Sequence, residues 1–278
     1  MSVLIVFTST VPTIVYAQDE GMSSSDMASP IDPRFSYKPR FVGAIVGLGP
    51  SNQSGSFLTD KCDCPAFTDG TGINVIVGGL FEQLLTKNMV LGASVLYNYR
   101  SLTAEYTERE SVSLQKEGSS DISKIAIPFL HTTKSSFTYI TVQPYLKYYL
   151  IKNFFVRVSP ALSFNIGSSL RHEKDMLQTT AKLPDGETVN ISFPADKDAR
   201  IVSDTKAIIQ DTQFPKMTSF VLSADMALGI EIKAGKRMSI APVLQYSLPF
   251  MDVSTSGTAF RLPSFLFCVE VKYNLDLK

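Results

Sequence analysis

Few side chains in this chain of 278 residues suit nucleophilic or acid–base catalysis, because it contains only two histidines, His131 and His172. Ser169 and Glu173 lie near His172, and a serine, a histidine and a carboxylate are the components of a hydrolytic triad. On a continuous strand, however, Ser169 and His172 would point to opposite faces. We therefore expect these to be solvated loop residues, and we predict no catalytic residues and no enzyme.

Metal and cofactor chemistry has equally little support. The three cysteines are Cys62 and Cys64, separated by one aspartate, and the isolated Cys268. This count and spacing fit neither a zinc ribbon nor a disulfide framework, so we expect a loop pair that oxidises after export. Glycine-rich segments such as VGLGPSNQSG do not lead into a helix, which argues against a phosphate-binding loop. The sequence predicts no metal and no cofactor.

The charged residues give no reason to expect a nucleic-acid partner, since 26 basic residues balance 26 acidic ones. Eight of them share one phase of segments in which apolar and polar residues alternate. They are four acids and four bases: Glu82, Arg100, Lys147, Arg157, Asp225, Glu231, Glu270 and Lys272. If this phase faces the inside of a narrow barrel, the opposite charges can pair there. We predict a structural interior cluster rather than an ion path.

The elements that must position these residues are long strands. Period-2 alternation occurs in eight segments, each much longer than the five or six residues usual in globular proteins. They are residues 40–50, 72–84, 89–101, 136–149, 154–167, 218–232, 237–248 and 262–275. Tight turns alternate with long connections along the chain, as in outer-membrane barrels with short periplasmic turns and long extracellular loops. No apolar run reaches the roughly 20 residues of a membrane helix.

The two faces of each segment decide which side meets lipid. In VRVSPALSFNI, residues 156–166, one face carries Val, Val, Pro, Leu, Phe and Ile, and the other carries Arg157 with small residues. The apolar faces of seven segments contain no charge, whereas small residues and paired charges suit a narrow lumen. We therefore predict an all-β fold, an eight-stranded antiparallel transmembrane β-barrel with Arg157 facing inward. Prolines within three segments oppose this prediction unless bulges accommodate them.

The N-terminal region predicts export. Residues 1–17 are uncharged and largely apolar and end in Val-Tyr-Ala, which indicates a cleaved signal peptide. Residues 18–39 are rich in Ser, Asp and Pro without periodicity, which predicts a flexible periplasmic linker. The barrel is then expected to occupy residues 40–278.

The stretches GGLFEQLLTKNMVLGASVLYNYR, ITVQPYLKYYLIKNFFVRVSPALSFNIG and SIAPVLQYSLPF resemble the OmpA/OmpX-type outer-membrane β-barrel domain, especially the barrels related to PorT. The resemblance extends from about Arg40 to Leu277. It implies the barrel architecture and the outer membrane of a Gram-negative-type envelope. It is weak for activity, because such proteins are mostly of unknown function or act as structural and surface proteins.

The resulting hypothesis is an integral outer-membrane barrel with a packed, charge-paired interior and a structural or surface-binding role. Its expected partners are outer-membrane lipid, the barrel-assembly machinery and an extracellular or envelope protein bound through the long loops 102–135 and 168–217. Within the second loop, Pro184-Asp185-Gly186 predicts the turn of a hairpin. Two alternatives stay open: a lipid-modifying enzyme, for which a histidine must reach a serine at the membrane rim, and an accessory component of a secretion system.

Overall fold

The computed structural model describes residues 39–60, 64–115, 122–183, 186, 188–191, 193 and 200–276. The predicted signal peptide, residues 1–17, lies outside this part of the chain, as does the predicted linker up to residue 38. No helix in the described part is long and apolar enough to cross a bilayer, a finding that does not bear on crossing by strands.

Fifteen strands make up the regular structure of the described residues. In chain order they are β1 (Arg40–Asn52), β2 (Ser54–Phe57), β3 (Gly70–Leu84), β4 (Met89–Gln115), β5 (Ile122–Tyr149), β6 (Phe154–Met176), β7 (Thr180–Lys182), β8 (Thr188–Asn190), β9 (Arg200–Ser203), β10 (Lys206–Thr212), β11 (Phe220–Ile230), β12 (Ile232–Lys233), β13 (Met238–Pro249), β14 (Gly257–Arg261) and β15 (Ser264–Asn274). Eight of these correspond to the eight predicted segments.

Those eight strands close into a ring. The hydrogen-bonded order is β11-β13-β15-β1-β3-β4-β5-β6, and β6 also pairs with β11, which leaves no open edge in the ring. Every pairing in it is antiparallel. The predicted eight-stranded antiparallel barrel is therefore confirmed. Full closure satisfies the backbone hydrogen bonds internally, as a membrane-spanning structure requires.

The orientation of the faces is also as predicted. In β6, Leu162 is 37% exposed on the outside, while Arg157 and Ser163 are 3% and 4% exposed inside. The same alternation places large apolar residues outward around the ring, among them Val46, Val77, Val95, Met226, Leu244 and Phe267. An outward apolar belt of this kind suits a hydrocarbon environment.

Three strands extend far beyond the predicted segments. β4, β5 and β6 contain 27, 28 and 23 residues, more than twice the roughly 9 to 11 that a transmembrane strand needs. The predicted loop 102–135 is thus mostly a continuation of β4 and β5 as a hairpin, and residues 168–176 continue β6. The sequence prediction missed this because its marker, an apolar outward face, ends where the strands leave the membrane.

The predicted loop 168–217 contains further strands. β7 and β8 pair as the hairpin expected around Gly186, and β9 and β10 pair with each other next to β6. We call the part of the sheet beyond the apolar belt, formed by residues 102–115 of β4, 122–135 of β5 and 168–176 of β6 with β9 and β10, the extracellular sheet. It is a continuation of one side of the barrel wall.

The prolines within strands are accommodated without bulges at their positions. Pro144 and Pro160 lie opposite each other, in a gap between the pairs Val142–Leu162 and Leu146–Val158, and the register is unchanged across the gap. The one register shift between β5 and β6 occurs elsewhere, at Thr138. Proline has no backbone N–H, so the carbonyl oxygen of the opposite residue receives no hydrogen bond. Both missing hydrogen bonds fall in this one gap.

Candidate functional site

The lumen near the short turns contains a network of buried charges. Glu82 accepts hydrogen bonds from Lys147 and from Lys272, the latter at 3.0 Å from its Oε2. The ammonium group of Lys272 also contacts Glu231, which accepts a further hydrogen bond from Tyr149. Glu82, Lys147 and Lys272 are at most 1% exposed, so these charges meet each other rather than water.

A second acid joins this network to another strand. Glu270 pairs with Arg157, and its Oε2 lies 3.7 Å from Nζ of Lys147. Arg157 also donates to Oε1 of Gln245 at 2.9 Å. Six of the eight predicted interior residues are thus connected, three acids with three bases, which is the balance that buried charges require.

The remaining two predicted residues are buried but form no ion pair within the described residues, and Asp225 is linked to Arg157 only through Gln245. Arg100 donates to the carbonyl oxygen of Leu262 at 2.9 Å, and Asp225 accepts from Gln143 at 2.6 Å and from Gln245 at 3.0 Å. Both groups therefore have neutral hydrogen-bond partners. The sequence could identify their inward phase, but it could not show how far each lies from an opposite charge.

A glycine makes room for a large ring within the network. Gly92 lies opposite Tyr145, and a Cβ atom at Gly92 would come within 2.3 Å of that ring. The close approach lets the Tyr145 hydroxyl donate to Glu82 at 3.1 Å. At the short-turn mouth, a cleft of about 490 Å³ is lined by Glu82, Glu231 and turn residues.

Aromatic side chains fill the other end of the lumen. Phe57, Phe67, Phe137, Phe214 and Phe260 are at most 3% exposed, and Phe57 packs within 5.2 Å, between ring centroids, of Phe67, Phe214 and Phe260. We call these five residues the aromatic plug. Two of its members come from β2 and β14, short strands that pair with each other apart from the ring. The lumen is filled by charges at one end and by rings at the other.

A line of hydrogen-bonding side chains lies on the inward face of the extracellular sheet. Nδ1 of His131 is 3.0 Å from Nε2 of His172, and Nε2 of His131 is 3.0 Å from Oε1 of Glu110. Tyr106 stacks on His131 with ring centroids 4.7 Å apart and an interplanar angle of 4°. Lys174 forms an ion pair with the other oxygen of Glu110. Both histidines are fully buried.

The electrostatics of this line follow from its contacts. The hydrogen bond from His131, together with the contact to Lys174, lowers the pKa of Glu110 to about 2 despite its partial burial. Burial, together with the neighbouring His131 and Lys174, lowers the pKa of His172 to about 4. Burial and the charges of nearby glutamates raise the pKa of Tyr106 above its usual range. At neutral pH, Glu110 is therefore ionised and His172 neutral.

The residues considered for a triad do not converge. Ser169 is on the outer face and hydrogen-bonds Ser136 at 2.7 Å, while His172 points inward. Glu173 instead contacts cations, with Arg171 at 2.7 Å and Lys206 at 3.0 Å. Neither histidine lies within hydrogen-bond distance of a serine in the part of the chain that the structure describes.

Sequence reasoning missed the role of Tyr106, Glu108 and Glu110. Their spacing at every second residue gave a signal, since it places all three on one face of a strand. What the sequence lacked was the register, which pairs Tyr106 with His131 and Thr133 with His172. Among the cysteines, Cys64 is in a disulfide, Cys268 is free and buried, and Cys62 is outside the described residues.

Comparison with known proteins agrees with this architecture. Residues 48–255, well over half of the chain, match the family described as outer membrane protein beta-barrel domain. The chain belongs to this family. The outer membrane is therefore its location, as the sequence predicted. No curated protein matches this member of the outer-membrane β-barrel family.

Several solved structures are similar to this β-barrel family member. Ail, the attachment invasion locus protein of Yersinia pestis, is 8% identical with a TM-score of 0.29, covering 85% of this chain and 99% of Ail. Neisserial surface protein A is 8% identical with a TM-score of 0.29, covering 85% and 97%. The outer membrane protease OmpT from Escherichia coli is 9% identical with a TM-score of 0.26, covering 85% and 97%.

These similarities are too distant to assign an activity, but one of them corrects a prediction. We predicted from the sequence that the chain is not an enzyme, and that prediction is wrong as it stands. The similar structures include an outer membrane protease.

Proposed function

We propose that this outer-membrane barrel is a surface-recognition protein that presents its extracellular sheet to a partner outside the cell. The observation that carries the proposal is the length of β4, β5 and β6, which continue as paired strands far beyond the apolar belt. A barrel that served only as a membrane anchor would need no paired strands beyond the apolar belt. Paired strands hold their side chains in fixed positions, as a binding surface requires.

The edges of the extracellular sheet support this proposal. Beyond Ala104, β4 has no partner on the side away from β5 within the described residues. All four residues of β9 are exposed, and β9 pairs only with β10 in that same part of the chain. Exposed strand edges offer unpaired N–H and C=O groups, to which an extended segment of a partner can add by strand pairing.

The experiment compares two positions at opposite ends of the barrel. A photo-crosslinking amino acid replaces Arg109, exposed on β4, or Lys152, exposed in a short turn. We expect crosslinks to an extracellular partner only from position 109. Crosslinks only from position 152 would contradict the proposal and favour an accessory role in secretion on the periplasmic side.

A trimmed variant tests whether the added strands contribute. The amide of Met176 hydrogen-bonds the carbonyl oxygen of Thr205 at 2.7 Å, so a short Gly-Ser linker can replace residues 177–204 without separating β6 from β10. We expect the variant to keep its heat-modifiable migration on gels, because the ring is unchanged. Crosslinking from position 109 should decrease if β7 to β9 belong to the recognition surface.

A further inference from the structure

We propose that Glu108, Glu110 and His131 form a binding site for a divalent transition-metal ion of the zinc class at the extracellular end of the barrel. One ligand atom from each residue lies within 4.8 Å of the other two. Glu108 and Glu110 are two residues apart on β4 and so share its inward face, and His131 projects from the neighbouring strand β5.

His131 is held in the orientation that a ligand needs. Tyr106 stacks on one face of its imidazole, and Nδ1 is hydrogen-bonded to His172, so Nε2 points to the two carboxylates. A metal-binding histidine is normally oriented by a hydrogen bond from its other ring nitrogen. His172 supplies that contact here, and its own ring packs edge-on against Phe67 of the aromatic plug.

The position of Glu108 beside Glu110 is not explained by any other contact in the described residues. Glu108 is half-buried, and it has no hydrogen-bond or ion-pair partner in the described part of the chain. Its carboxylate lies beside that of Glu110, which repels it, and Lys174 contacts Glu110 instead. Two carboxylates and one ammonium group leave a net negative charge, which a divalent cation would compensate.

The ligand set selects the class of metal. Imidazole nitrogen favours zinc, copper, nickel and iron, whereas calcium and magnesium prefer sites made of oxygen alone. Ligand atoms at roughly 2.0 to 2.2 Å from a tetrahedral centre lie about 3.4 Å apart, so distances between ligand atoms must shorten by up to about 1.4 Å. Two partly exposed glutamate side chains can make that adjustment by rotation.

Lys174 is the competitor for this site. Its ammonium group contacts Glu110 and also lies 4.2 Å from the centroid of the Phe129 ring. A metal bound by Glu110 has to displace this contact, and the two positive charges repel each other. Removing the charge at position 174 should therefore strengthen metal binding, which distinguishes a metal site from an ordinary salt bridge.

The test measures zinc binding by competition with a chromophoric chelator. It uses the full-length protein, folded in detergent, without a histidine tag and under non-reducing conditions. We expect one zinc ion per chain. Glu108→Gln should weaken binding by at least about tenfold, and His131→Gln should abolish it. Lys174→Gln should bind more tightly than the unmodified protein. Glu105→Gln, on the outward face of the same strand, is the matched control and should not change the affinity.

Cobalt provides a second readout. Absorption bands of bound Co²⁺ should appear in the unmodified protein and in Lys174→Gln, and at the same cobalt concentration they should be much weaker in Glu108→Gln. The heat-modifiable gel shift identifies any variant that fails to fold, and the half-buried Glu108 gives a test that does not depend on replacing a buried histidine. Absence of stoichiometric zinc binding, or equal binding by Glu108→Gln and the unmodified protein, would overturn the proposal.

Discussion

At the residue scale, the lumen shows how charges are tolerated inside a membrane protein. Glu82 holds two ammonium groups, from Lys147 and Lys272, in a region with almost no exposure to water. Attraction between the acidic and basic groups compensates their loss of hydration only while charges of both signs are present. Each charged group therefore depends on the others. The network is consequently sensitive to single changes and more tolerant of changes made in pairs.

Glu82→Gln should lower the free energy of unfolding by about 3 to 5 kcal/mol, because it leaves the three buried bases of the network with only two acids, Glu231 and Glu270. The loss is measured from the folded fraction on gels across a urea titration in lipid vesicles. Glu105→Gln on the outer surface should stay within about 0.5 kcal/mol of the unmodified protein. If Glu82→Gln combined with Lys147→Gln were as destabilising as the sum of the two single changes, the pair would not be interacting.

Leu162 tests the outward face. Leu162→Arg places a charge in the apolar belt and should cost about 2 to 4 kcal/mol near the midplane of the membrane. Leu162→Met, at the same position, should cost under about 1.5 kcal/mol because it conserves volume and polarity. Equal urea midpoints for the two variants would mean that position 162 does not face lipid.

At the element scale, the gap between β5 and β6 is a local defect in an otherwise continuous ladder. The pairs on both sides, Val142–Leu162 and Leu146–Val158, keep the same register. Pro144 and Pro160 are therefore opposite each other at the position where two mutual hydrogen bonds would form. Placing both prolines in one pair confines the loss to one place in the sheet.

Replacing both prolines with valine should restore those two hydrogen bonds and stabilise the barrel. At about 0.5 to 1.5 kcal/mol for each bond, the gain is about 1 to 3 kcal/mol, and each single replacement should give about half of it. Urea titration measures the gain, and hydrogen exchange should show protection of the new amides at positions 144 and 160. Unprotected amides in a folded double variant would show that the ladder remains open there.

At the scale of the whole molecule, two different fillings close the lumen. The charge network occupies the end near the short turns, and the aromatic plug occupies the extracellular end. An eight-stranded barrel is only wide enough for its interior to be filled by side chains. In the part of the chain that the structure describes, the barrel therefore has an interior filled with side chains and a large external sheet.

A closed interior predicts no steady conductance when the purified protein is inserted into planar lipid bilayers. The unmodified protein should give only the baseline current at all voltages that the bilayer withstands. Glu82→Gln, if it still folds, should also remain closed, because the aromatic plug is unchanged. A stable and reproducible step of nanosiemens size would show that the two fillings leave a continuous path.

The sequence by itself determined the barrel. Apolar and polar residues alternate with a period of two, which assigns each residue to one of two faces, and the absence of charge on one face, for example around Leu162, identifies the lipid side. The inward phase of residues such as Glu82 and Arg157 followed from the same pattern. These features are local along the chain, so no knowledge of strand pairing was needed to predict them.

Only the tertiary structure decided which residues meet. Beyond the membrane the outward face no longer needs to be apolar, so the continuation of β4, β5 and β6 had no sequence marker. Contacts between strands depend on register, and a shift of one residue reverses every face. The register places His131 beside His172 and Glu110, and it separates Arg100 and Asp225 from the six connected charges. Pairing across strands is long-range, which is why the candidate metal site became visible only in the folded chain.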